Sequence, residues 1–121
     1  MPKANVLIVE DEPLIQMLWE DVFYDAGMHV GGTATTIKEA LRLLKEQDFT
    51  AVVLDVQLRD GTSEPVAEYI RQLGIPAVVC SGDIWGMSDL FKKFPHKSKP
   101  FAANDYDEVV HELSICPELI C

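Results

Sequence analysis

Positive charge is scarce in this sequence: ten lysines and arginines stand against twenty aspartates and glutamates, for a formal net charge of −10 over 121 residues. Such a surface repels nucleic-acid phosphates and anionic lipid and makes a cation the favoured guest. Long apolar runs are missing too. The longest early one, Val6-Leu7-Ile8-Val9, falls far short of the roughly 20 residues of a membrane span, and acids follow it directly. Neither a signal peptide nor a span is predicted, and the expected compartment is the cytoplasm. Cysteine occurs only three times, as Cys80, Cys116 and Cys121, with no zinc spacing and no histidine cluster beside it. That excludes a disulfide framework or a metal knuckle. Cys80 reads as a small buried hydrophobe, and Cys116 and Cys121 as free thiols that could pair or react. There is also no repeat, linker or low-complexity tract. One domain over residues 1–121 is expected, with no room after the last predicted helix for an output domain.

What is present alternates. Val6-Leu7-Ile8-Val9, Ala51-Val52-Val53-Leu54 and Ala77-Val78-Val79-Cys80 are short, β-branched, unbroken apolar runs, the pattern of strands buried on both faces. Residues 29–34, softened by Gly31 and Gly32, predict a weaker strand at a sheet edge, and residues 95–98 a short, poor one. Helices are predicted between them. Over 13–26, Ile15, Leu18, Val22 and Ala26 form a stripe that stops at Gly27. Trp19 and Phe23, four apart and to the side of that stripe, are open to two readings, extra core or a partner-facing ridge. Thr36 and Glu39 fit a capping box ahead of Ile37, Ala40, Leu41 and Leu44, on a helix ending near Glu46. Ser63 or Glu64 with Pro65 starts a third helix, whose Val66, Ala67, Ile70 and Leu73 face the sheet until Gly74. Residues 82–94 carry only a short helical signal around 88–93. The last helix, about 103–113, sets Tyr106, Val109, Val110 and Leu113 on one face. About five strand–helix alternations with short connections specify a parallel sheet covered by helices on both faces.

Each strand ends in chemistry. The first runs into Glu10-Asp11-Glu12, the central one into Asp55, the fourth into Ser81 and the fifth into Lys99. Taken singly, these are ordinary residues: acids before proline cap helices, aspartate opens turns, and a lysine before proline is solvated. In an open parallel sheet, however, the crevice outside the carboxyl ends of the strands is where ligands collect, and all these groups converge there.

In that order and spacing, the pieces VLIVEDE, VVLDVQL, VVCSG and KSKPF resemble the receiver domain of two-component response regulators, over essentially the whole chain. The resemblance implies a CheY-like, flavodoxin-like doubly wound (βα)5 fold with a five-stranded parallel sheet. It implies Asp55 as phosphoacceptor, attacking a phosphohistidine on a histidine kinase or histidine phosphotransfer protein. It also implies Mg²⁺ held by Glu10, Asp11, Asp55 and the backbone carbonyl of Gln57. Hard oxygen ligands at a loop edge suit that ion, and clustered carboxylates facing an incoming phosphoryl group need a cation. Lys99 would pair with a phosphoryl oxygen, and the Ser81 hydroxyl would move to bond the phosphate. The chain would signal through an unknown downstream protein rather than act as an enzyme on other molecules.

Departures from the family pattern narrow the reading. The common proline four residues past the phosphoacceptor is replaced by Arg59, and the compact loop through Asp60-Gly61 resembles that of short stand-alone alphaproteobacterial receivers. The interval from Ser81 to Lys99 is too short for a full fourth helix, which is expected to be truncated or irregular. His96 stands where many receivers have an aromatic residue and reads as a solvent-facing strand residue. Lys99-Pro100 matches a position that is commonly cis in the family. Two alternatives remain open here, a receiver-like interaction module independent of phosphorylation and a Mg²⁺-dependent enzyme on a similar sheet. Gln57 breaks the aspartate pair that Toprim-like nucleases and aspartate-based phosphatases need, and Glu10-Asp11-Glu12 would repel the phosphate of FMN.

Overall fold

The unbroken apolar runs lie side by side at the centre of one sheet. The computed structural model describes residues 4–83 and 85–114, so the tail with Cys116 and Cys121 lies outside the described residues. The chain runs β1 (Asn5–Val9), α1 (Pro13–Asp25), β2 (His29–Ala34), α2 (Ile37–Glu46), β3 (Ala51–Asp55), β4 (Gln57–Leu58), β5 (Gly61–Thr62), α3 (Glu64–Leu73), β6 (Ala77–Ser81), α4 (Asp89–Lys92), β7 (His96–Ser98) and α5 (Ala103–Ser114). Five strands form a parallel sheet in the order β2-β1-β3-β6-β7. The strand order reverses at β1, so the crevice over the carboxyl ends of β1 and β3 is the topological switch point.

Alternate residues of each strand point to opposite faces, and each face has its own core. Leu7, Val9, Val52, Leu54 and Val79 pack with Ala40 and Leu44 of α2, Val66, Ala67 and Ile70 of α3 and Phe91 of α4. Val6, Ile8, Val53, Val78 and Cys80 pack with Trp19 and Phe23 of α1 and Val109 and Leu113 of α5. Two-sided burial is why these strands carry no polar alternation. The weaker β2 lies at the edge, as expected. A Cβ at Gly31 would stand 2.0 Å from Asn5 Oδ1, so any larger residue there would have to displace the Asn5 side chain.

Two expectations about packing are corrected. On α1, Trp19 and Phe23 are completely buried, which settles their two readings in favour of the core and displaces the predicted stripe. Trp19 stacks on Phe23 with ring centroids 5.7 Å apart and meets Phe101 and Tyr106 edge-on at 5.3 and 5.0 Å. Leu18 turns outward instead, joining Leu14, Met17 and Tyr24 among the exposed apolar side chains, and Ala26 is exposed. Ile15 and Val22 still pack against the core, and the aromatic stack with Phe101 and Tyr106 turns the buried face of α1 toward Trp19 and Phe23 by less than the roughly 100° of one residue. Leu73, expected to face the sheet, is also largely exposed. It is the last residue of α3 before Gly74 adopts a left-handed φ of 71°, and Ile75 packs against the core instead.

The fourth helix is a single turn, four residues long, in keeping with its weak pattern. The two-residue strands β4 and β5, which pair Gln57 with Thr62 and Leu58 with Gly61, have no counterpart in the sequence reading.

Candidate functional site

Backbone pairing brings the expected groups to one edge. β1 and β3 are paired as far as Val9 and Leu54, so the next residues, Glu10 just past β1 and Asp55 at the end of β3, stand side by side. β3 and β6 pair Asp55 with Cys80, which places Ser81 one step beyond. The Lys99 amide donates to the Ser81 carbonyl at 2.8 Å, carrying the lysine in from the fifth strand. The Lys99–Pro100 peptide is cis.

Lys99 Nζ donates to Asp55 Oδ2 at 2.7 Å and to Glu10 Oε1 at 2.9 Å, bridging two carboxylates that are almost fully buried. Such charge-assisted bonds in a shielded site are far stronger than surface pairs. Burial pushes the Glu10 carboxyl up to about 7; the hydrogen bond from Lys99 works against this and the neighbouring Asp55 charge adds to it. Burial disfavours the Lys99 ammonium, but its bonds to Asp55 and Glu10 outweigh that and hold its pKa above the ordinary lysine value.

Asp11 completes the cluster. One carboxylate oxygen from each of Glu10, Asp11 and Asp55 lies within 4.8 Å of the others. Hard carboxylate oxygens are the donors Mg²⁺ prefers, so this trio suits the ion by its chemistry, and binding would draw the three carboxylates closer together. The Gln57 amide faces Asp55 Oδ1 at 3.4 Å.

Ser81 is at the edge but outside this network: its Oγ accepts from the Asp83 amide at 3.0 Å, within its own loop. Cys80 beneath it is buried, and desolvation holds its thiol pKa well above the ordinary value. His96 is exposed, as read from the sequence, and its Nδ1 lies 3.0 Å from the Phe94 carbonyl. Lys97 pairs with Glu108 and sits 3.8 Å from Asp105.

Sequence reasoning missed three supporting residues. Gln16 donates its side-chain amide to the Glu10 carbonyl. Ser63, completely buried, donates its hydroxyl to the Asp55 carbonyl at 2.6 Å. Asp60 accepts from the Ile37 and Lys38 amides at 2.8 and 3.4 Å. Only Ser63 carried a signal, as a candidate helix start, and that signal pointed to a different bond.

A doubly wound parallel sheet with acids and a lysine at its carboxyl edge defines the class, the CheY-like receiver fold. The family model described as the response regulator receiver domain matches residues 6–91, and the chain belongs to that family. The solution structure of SdrG from Sphingomonas melonis Fr1 superposes with a TM-score of 0.81 at 34% identity, over 95% of this chain and 100% of that one. The BeF3-activated conformation of SdrG, from Pseudomonas melonis Fr1, gives 0.77 at 34% identity, over 92% and 96%. The phyllosphere-induced regulator PhyR of Methylorubrum extorquens is 36% identical over 78 residues, 62% of this chain; the chain thus spans about 29% of that protein's length. Among the described residues, no helix is long and apolar enough to cross a membrane.

Proposed function

We propose that this receiver domain accepts a phosphoryl group on Asp55 from a phosphohistidine of a histidine kinase or histidine phosphotransfer protein in the cytoplasm, and signals through protein contacts. The observation that carries the reading is Lys99 bridging Asp55 and Glu10 over a carboxylate trio at the switch point. Support for stand-alone action comes from SdrG, whose solved chain matches this one almost end to end.

An Asp55 carboxylate oxygen forms the bond to phosphorus as the phosphorus–nitrogen bond to the imidazole breaks, and the imidazole leaves with the electron pair. Glu10, Asp11 and Asp55, with the Gln57 carbonyl, would hold Mg²⁺, which neutralises charge on the phosphoryl oxygens. Lys99 Nζ, which bonds Asp55 Oδ2, would follow the developing charge onto a phosphoryl oxygen. Ser81 Oγ accepts from the Asp83 amide and would donate its own proton to a phosphoryl oxygen, a bond that would tie the state of Asp55 to the loop after β6. The chemistry is limited to the chain's own phosphorylation and dephosphorylation.

The exposed Leu14, Met17 and Leu18 share one side of α1. On the same helix Ile15 lines a groove with Lys99, Pro100, Phe101 and Tyr106, and this side of α1 suits docking of the phosphodonor protein.

The test is intact-protein mass after incubation with acetyl phosphate, with and without Mg²⁺, for wild type and Asp55→Asn. An alkali-labile phosphoryl adduct that requires Mg²⁺ and is absent from the variant is expected. Mg²⁺ binding without an adduct or any response to beryllofluoride would favour the phosphorylation-independent module.

A further inference from the structure

Ser63 occupies the N-cap of α3, where a serine hydroxyl ordinarily accepts from the helix's own free amides, yet it makes no such bond. Its Oγ instead reaches back eight residues to the Asp55 carbonyl, and its amide donates to the Val56 carbonyl at 2.8 Å. Between these ties the chain closes into the β4–β5 hairpin. At the hairpin tip, Asp60 crosses to α2. Its Oδ1 takes the Ile37 amide and its Oδ2 the Lys38 amide, while Thr36 Oγ1 takes the Glu39 amide at 3.1 Å and the Thr36 carbonyl the Ala40 amide at 3.0 Å. The first four amides of α2 therefore all have acceptors, and the connection that follows Asp55 supplies two of them.

A surface loop that merely joined β3 to α3 would need neither tie, and such loops are ordinarily among the more mobile parts of a domain. This one is pinned at its base by a buried serine diverted from capping, paired through its middle and braced at its tip against a helix of the opposite connection. We propose that Ser63 and Asp60 are positioning residues, which hold the backbone of Val56 and Gln57 so that the oxygen set beside Asp55 is formed before cation or phosphoryl group arrives. The inference rests on the receiver reading above and deepens it. A preformed ligand set avoids the ordering cost of binding. It also leaves the loop after Ser81, rather than the loop after Asp55, to move on phosphorylation.

The experiment is calorimetric titration of Mg²⁺ into the full chain for wild type, Asp60→Ala, Asp60→Asn, Ser63→Ala and Thr36→Ala, with amide exchange at Gln57 alongside. Asp60→Ala and Ser63→Ala are expected to weaken Mg²⁺ binding about tenfold, the scale seen when groups orienting a metal ligand are removed, and to speed exchange at Gln57. Asp60→Asn keeps an acceptor for the Ile37 amide and is expected near wild type. Thr36→Ala weakens the same helix terminus without touching the loop, so its Mg²⁺ affinity is expected to be unchanged. Asp60→Ala binding Mg²⁺ as tightly as Thr36→Ala overturns the proposal; this exposed-tip variant decides alone if Ser63→Ala does not fold. Wild type that binds Mg²⁺ but neither takes a phosphoryl group from acetyl phosphate nor responds to beryllofluoride refutes the phosphoacceptor reading and leaves the positioning result to the variants' isotherms. Wild type that binds no Mg²⁺ overturns both.

Discussion

Phe23 distinguishes a core role for the aromatic pair on α1 from a docking role. Its ring is completely buried and stacked on Trp19, which is itself held edge-on by Phe101 and Tyr106. Phe23→Ala removes a whole ring from a site walled by the sheet and α5, where collapse is limited, so the cost is about 3–5 kcal/mol. In a domain of this size each kcal/mol lowers the melting midpoint by roughly 4 °C, which gives a drop of roughly 12–20 °C. That is a large share of the roughly 5–15 kcal/mol by which such domains are stable. The assay is a thermal melt followed by circular dichroism, paired with Mg²⁺ titration and acetyl phosphate labelling well below the midpoint, where the folded fraction of the variant is expected to behave as wild type. A midpoint within about 3 °C of wild type would refute the packing argument, since no fully buried phenylalanine ring is removed so cheaply. If that variant also slowed transfer from a histidine kinase while acetyl phosphate labelling was normal, the ridge reading would be restored.

Leu14→Ala and Met17→Ala, on the exposed side of α1, are expected to shift stability by no more than about 0.5 kcal/mol. Both are expected to slow phosphotransfer from a histidine kinase while labelling by acetyl phosphate is unchanged; equal loss in the two reactions would count against a docking role. The Ile37 amide holds the Asp60 carboxyl below its ordinary value of 3.8. A group depressed in the folded state stabilises above its unfolded pKa and loses that contribution as pH falls through the folded one. The stability difference between wild type and Asp60→Asn, read from urea midpoints, is therefore expected to be flat near neutrality and to shrink below about pH 4. A constant difference through that range would remove Asp60 from the cap. In hydrogen exchange, the amides of α4, a single turn, are expected to be the least protected of the helices, because only i→i+3 and i→i+4 bonds at its two ends support it. Protection equal to that of α2 would show this segment to be as cooperative as the rest.

The local sequence determined those features whose causes are local. Residues 6–9, 51–54 and 77–80 announced buried strands because burial on both faces leaves no room for polar alternation. Thr36 and Glu39 announced a helix start because a cap bonds amides three residues away, as Thr36 Oγ1 does with the Glu39 amide. Glu10, Asp11, Asp55 and Lys99 were legible as a set, because parallel strands place all their carboxyl ends at one edge. Tertiary structure decided what depends on a partner distant in the chain. Periodicity showed that α1 has an apolar side, but two overlapping stripes competed, and only the rings of Phe101 and Tyr106 made the Trp19 and Phe23 side the buried one. Asp60 and the α2 amides are 22 and 23 residues apart, and no local propensity records that bond. The Ser63 hydroxyl could accept from an amide of its own helix or donate to a distant carbonyl, and the choice fell to the Asp55 carbonyl, which the folded sheet brings within 2.6 Å. Which polar groups meet across such separations is settled by packing geometry, since a hydrogen bond is short and directional and the sequence specifies only the groups able to make it.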